Sequence, residues 1–178
     1  MVSYQRLTKF VEHFFSRSFI FKYGFNWSPM YSRSSGKVIF VSEDLHRIEV
    51  KLPLSYRNRN YVNTIFGGSL FASVDPFPMV QLINIIGQDY VVWDKKAEIR
   101  FLRPGQNTLY AEFTYSPEEV TNIKKEVAEK NEIEIIKTTQ LIDRTTNAVC
   151  CEVDKTIYIA KKSFFKEKRR KKAKKKLL

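Results

Sequence analysis

Residues 66–94 read FGGSLFASVDPFPMVQLINIIGQDYVVWD. Between Gly67 and Ile86 nearly every side chain is apolar and the one carboxylate is Asp75. That length and composition predict a helix from about Gly67, stopped at Gly87, where glycine can leave the helical conformation. So apolar a helix has little polar surface to give to water, so other elements must cover it on most sides.

The flanking sequence supplies the cover. Lys37 to Val41 reads as a short strand, and Ile48, Val50, Leu52 and Leu54 alternate with polar or turn residues in a second. After the helix, Trp93, Ala97, Ile99 and Phe101 alternate with charged positions, and so do Leu109, Ala111, Phe113 and Tyr115 with their neighbours. Ser116-Pro117-Glu118-Glu119 is a helix start, with Ser as N-cap, Pro at the first position and acids in the first turn. That helix should run to about Lys130, followed by strands from Ile133 to Ile142 and Val149 to Ile159, joined near Asp143 to Asn147. The order predicts an α+β fold in which an antiparallel sheet wraps around one long central helix. Trp93 is expected in its core.

Upstream, Leu7, Phe10, Val11 and Phe14 fall at helical spacing, which predicts an amphipathic N-terminal helix that docks on the domain, on a partner subunit or on a membrane surface. Tyr23 to Gly36, with Pro29 and several Ser, reads as an irregular link. Residues 1–35 thus form a leading segment, 36–162 the folded domain and 163–178 a disordered basic tail.

The 178 residues carry 31 Lys and Arg against 19 Asp and Glu. From Lys161 onward there are 11 basic residues and one Glu, a net +10, which leaves 20 basic and 18 acidic residues, or +2, for everything before. A solvated tail is the ordinary reading of such a run, and an anionic membrane surface is a partner its charge would suit. Nucleic acid is equally allowed by charge but is not expected, because no reading element accompanies the tail. Cys150 and Cys151 are adjacent and read as reduced thiols of a cytoplasmic protein. No apolar run is expected to reach the ~18–20 residues of a membrane span. Metal-ligand spacing, a nucleophile-elbow motif and a dinucleotide fingerprint are all missing, so neither cofactor nor metal is expected.

Gly67 and Gly68 at the helix start can present backbone N–H groups to a developing negative charge. Asp75, among apolar neighbours, can serve as base or nucleophile on an acyl group, with Asn60 orienting the carbonyl or the water. Seven helical residues separate Gly68 from Asp75 by ~10 Å, so one chain can hardly bring both to the same atom. A two-fold homodimer could, with amides from one subunit facing the acid of the other. Each residue also has a plainer reading. Asp75-Pro76 suits an N-cap followed by proline, Asn60 suits a loop hydrogen bond, and the glycine pair suits close helix–strand packing.

With Asn60, Gly67-Gly68 and Asp75 in place, the chain resembles the hotdog fold and its thioesterase superfamily, which includes the PaaI-type acyl-CoA thioesterases. In those enzymes a His-Gly-Gly motif opens the helix, the catalytic Asp follows the His by nine residues and an Asn precedes it by six. The same spacings here give Phe66, Asp75 and Asn60. The blocks NRNYV, FGGSLF, DPFPM, DYVVWDK and DKTIYIAKK more closely resemble an uncharacterised bacterial family of that superfamily, over roughly residues 38–162. Phe66 replaces the His, and Asn63 stands where the nearer family has Gly. The resemblance implies an acyl-CoA or related thioester as substrate and a homodimer, or a tetramer, with sites shared between subunits. Asp75, Gly67, Gly68 and Asn60 would be catalytic, and Asn63, Phe66 and Phe71 would bind substrate. A non-catalytic acyl-CoA- or lipid-binding hotdog is the rival, favoured by Phe66. A membrane-surface or scaffold protein acting through its basic tail is the third class.

Overall fold

The computed structural model describes residues 16–175, so the helix expected around Leu7 to Phe14 lies outside the described residues. The chain begins with α1 (Arg17–Trp27) and α2 (Pro29–Ser32), then β1 (Lys37–Val41) and β2 (Arg47–Leu52). The apolar run forms α3 (Gly67–Val74) and α4 (Phe77–Ile86). There follow β3 (Tyr90–Phe101), β4 (Leu109–Thr114), α5 (Pro117–Lys130), β5 (Glu132–Asp143), β6 (Ala148–Lys161) and α6 (Lys162–Lys175).

The six strands form one antiparallel sheet in the order β1-β2-β4-β5-β6-β3. Its alternating apolar face meets α3 and α4. Leu70, Val74, Phe77 and Leu82 from the helices are buried with Ile48, Val50, Leu52, Leu109, Val153 and Ile157 from the strands. Full burial of a side chain such as Phe77 or Leu82 contributes about 1.5–3 kcal/mol, so the helix and the sheet stabilise each other.

Asp75 (φ −49°, ψ −49°) and Pro76 (φ −76°, ψ −20°) keep right-handed helical geometry between α3 and α4, so Gly67 to Ile86 runs nearly as one rod. Proline is tolerated because Pro76 and Pro78 sit at the start of α4, where an N–H lacks a helical acceptor anyway. Gly87 ends the run at φ 94°. By length and composition alone these 20 residues could cross a bilayer, which corrects the expectation that no stretch is long enough; in this fold the helix is the core.

Three further expectations are corrected. The stretch from Tyr23 to Gly36 is largely helical rather than an irregular link, because its aromatics dock on the core. Phe25 lies 4.9 Å and Tyr31 5.2 Å from the Phe77 ring, and the Ser16 hydroxyl caps α1 by accepting from Phe19 N–H at 3.2 Å. Trp93 is 39% exposed rather than core. A β-bulge between Asp94 and Lys96 breaks the alternation of β3, placing Trp93 opposite Tyr158 on the outer face and turning Asp94 inward. The tail is a helix up to Lys175 rather than a disordered coil, since Phe165 packs edge-on against Trp93 at 4.9 Å and Lys168 pairs with Glu132 at 2.6 Å.

Candidate active site

The loop before α3 is built on Asn60. Its Oδ1 accepts from the Val62 and Thr64 N–H groups at 3.1 and 2.9 Å, and its amide donates to the Thr64 hydroxyl at 2.8 Å. Asn63, at the exposed loop tip, has φ 62°, the left-handed conformation that glycine adopts most freely and Asn tolerates. This explains how Asn63 can stand where a glycine was expected. Asn60 therefore does what its plainer reading required, and it fixes the approach to the helix.

At the helix start, the first bonds run from Ser69 and Leu70 N–H to the Phe66 carbonyl at 2.9 and 3.1 Å. The N–H groups of Gly67 and Gly68 have no acceptor among the described residues, which leaves two donors at the positive end of the helix dipole. At each glycine an aromatic ring stands where a side chain would go. A Cβ on Gly67 would lie 3.0 Å from the Phe101 ring, and one on Gly68 would collide with the ring of Phe66. An open cleft of about 430 Å³ lies beside Gly67, lined by Asn60, Ile65, Gly67, Leu70, Phe101 and Arg103 among others. Phe101, which lines it, and Phe66, which covers Gly68, are both more than half exposed.

Asp75 lies at the far end of α3 and does not act as an N-cap: the cap position of α4 is Pro76, with no side-chain cap bond. Instead its Oδ1 pairs with Lys155, whose side chain is only 3% exposed. The same ammonium reaches Asp94 Oδ2 at 2.7 Å and sits 5.5 Å from the centre of the Phe71 ring. Asp94 Oδ1 is buried without a hydrogen-bond partner among the described residues. Burial raises the Asp94 carboxyl above its ordinary value, the Lys155 hydrogen bond and charge oppose that shift, and Asp75 adds to it. Of the two acids Asp75 is the more open, its side chain 42% exposed against 23% for Asp94, so it is the one able to meet a substrate or water.

The structure thus gathers Asn60, Phe66, Gly67 and Gly68 at one end of α3 and leaves Asp75, with Phe71, at the other. Lys155 and Asp94 escaped sequence reasoning. A usable signal existed for the first: Lys155 takes an inward position in a strand whose other inward residues, Val153, Ile157 and Ile159, are apolar. Asp94 gave none, because the bulge that reverses its direction leaves no mark in residue alternation.

The family model for a domain of unknown function, DUF4442, matches residues 17–159 of the chain. The chain belongs to this family. Comparison with curated proteins finds no match. Among solved structures, the DUF4442 chain is similar to a Pseudomonas aeruginosa protein of unknown function described as a probable thioesterase, 17% identical, with 79% of this chain and 93% of that chain covered at a TM-score of 0.69. A Chlorobaculum tepidum protein of unknown function is 14% identical over 79% and 91% of the two chains, with a TM-score of 0.62. A Haemophilus influenzae thioesterase is 15% identical over 76% and 85%, with a TM-score of 0.52. Likeness at such identities establishes the fold: the DUF4442 domain here is an α+β hotdog fold, as the motif spacing implied.

Proposed function

We propose that the protein hydrolyses an acyl thioester, most simply an acyl-CoA, at sites shared by two subunits. The observation that carries this reading is the pair of N–H groups on Gly67 and Gly68 without an acceptor among the described residues, the first of them on a residue that lines an open, largely apolar cleft. Such donors stabilise the oxyanion that forms when a thioester carbonyl is attacked, and losing one typically costs about 3–4 kcal/mol of barrier lowering. Asp75 supplies the base or nucleophile through Oδ2, which has no partner among the described residues, while Lys155 holds Oδ1.

Support for two subunits comes from β3. It pairs with β6 along its whole length, and its other edge is unpaired among the described residues. A 12-residue open edge is a template for a second strand, and a two-fold axis would make that strand another β3. The ~10 Å between Gly68 and Asp75 within one chain is what makes the second subunit necessary.

A panel of acyl-CoAs tests the proposal. Turnover that disappears in Asp75→Asn, with the oligomer unchanged by sedimentation, is the expected result. A monomer that still hydrolyses thioesters would overturn the shared site, and an unchanged rate in Asp75→Asn would overturn the assignment of the acid.

A second reading, a non-catalytic acyl-CoA binder, is favoured by the Lys155 ammonium on Asp75 and by Phe66 over Gly68. Stoichiometric acyl-CoA binding without turnover on any member of the panel would select it.

A further inference from the structure

We infer that α6 is a docking surface for an anionic lipid bilayer, held in a fixed orientation by an aromatic clamp. Residues 162–175 contain nine Lys or Arg and one Glu, a net +8 on a single helix. Little of that charge serves the fold. Lys168 pairs with Glu132 at 2.6 Å and Lys171 with Glu167 at 2.7 Å, whereas Lys166, Arg169, Arg170 and Lys172 are exposed and make no ion pair among the described residues. Like charges four residues apart, as in Lys166 and Arg170 or Lys168 and Lys172, oppose the helix. The helix nevertheless stands where it does because Phe165 sits 4.9 Å from Trp93 and 6.4 Å from Tyr158. The charges of Lys166, Arg169, Arg170 and Lys172 on this clamped helix repel one another and find no ion-pair partner among the described residues, and an external anionic surface would relieve them.

A bilayer suits the arrangement better than a nucleic acid. Bound single strands stack bases on free aromatic faces beside a basic track. Here Trp93 is stacked on Tyr158 at 5.0 Å and covered edge-on by Phe165, so that platform is already occupied. A lipid surface needs no such platform: it attracts clustered Lys and Arg through its surface potential, and salt screens the attraction.

Flotation of the full chain with phosphatidylcholine vesicles, and with vesicles that also contain phosphatidylserine, tests this inference. Binding is expected to the anionic vesicles alone, falling at least about tenfold between ~0.05 and ~0.5 M salt. The quadruple variant Lys166→Glu, Arg169→Glu, Arg170→Glu, Lys172→Glu should lose that binding while keeping the wild-type thermal midpoint, since these side chains are exposed. Phe165→Ala should weaken binding less, by freeing the helix without removing charge. Equal binding to neutral vesicles, an unaffected quadruple variant or no vesicle binding would overturn the inference. So would binding to single-stranded RNA or duplex DNA in a protein that ignores vesicles. None of these outcomes depends on thioester hydrolysis.

Discussion

Lys155 Nζ lies 2.7 Å from Asp94 Oδ2, on the inner face of a sheet whose neighbouring inward side chains are apolar. The contact exists because the bulge after Asp94 turns that carboxylate toward the helix. Its other partner, Asp75, arrives from the end of α3.

Lys155→Met should therefore destabilise the protein by about 2–3 kcal/mol. Breaking a fully buried ion pair costs about 3–5 kcal/mol, and the smaller figure reflects the solvent that reaches Asp75. Urea unfolding at neutral pH measures the loss. A midpoint equal to wild type would mean that water already screens both acids.

Asp94 gives a pH signature. Its carboxyl is raised above its ordinary 3.8, chiefly by burial. A group raised on folding contributes stability that is present below the unfolded pKa and is lost as pH rises through the folded one. The stability of wild type relative to Asp94→Asn should thus increase as pH falls from neutrality through the region just above 3.8. Urea midpoints at several pH values read the trend, and a flat difference would contradict the assigned burial.

Asp143, the last residue of β5, has the opposite sign. The Thr145 hydroxyl, the Asn107 amide and the Thr145 N–H donate to it and hold its pKa down at about 2, from an ordinary 3.8. Its contribution is present above 3.8 and is lost as pH falls toward 2. Asp143→Asn should lower stability at neutral pH and flatten the acid limb of the stability curve between those values, as followed by circular dichroism.

Gly68→Ala should separate stability from function. Its Cβ would land on the Phe66 ring, which is 58% exposed and free to swing aside, while alanine gains up to ~1 kcal/mol over glycine in a helix. The thermal midpoint should hold or rise slightly. Acyl-CoA turnover or binding should fall at least about tenfold, because the added methyl crowds an N–H meant for the oxyanion. Loss of both together would mean that the glycine is needed for folding.

Local sequence carried the elements whose side chains alternate regularly or whose caps are self-contained. The Ser116 hydroxyl does accept from Glu119 N–H at 3.0 Å, and β4 runs Leu109–Thr114, because cap and alternation are complete within a few residues. The helical course of Tyr23 to Gly36 was illegible, since it depends on Phe77, some fifty residues downstream. Phe165 likewise orders the tail only because Trp93 and Tyr158 are there to receive it.

By itself the sequence determined a long apolar helix, an antiparallel set of strands to cover it, and the spacing of Asn60, Gly67, Gly68 and Asp75. Those features rest on periodicity and chain geometry, which act over a few residues at a time. Only the tertiary structure decided that Asp75 meets Lys155, which also holds Asp94, instead of capping α4, and that Trp93 faces outward. A single bulged residue puts the residues before it out of step with those after it in their facing, and a buried ammonium selects its carboxylates by proximity in space; neither leaves a trace in local sequence.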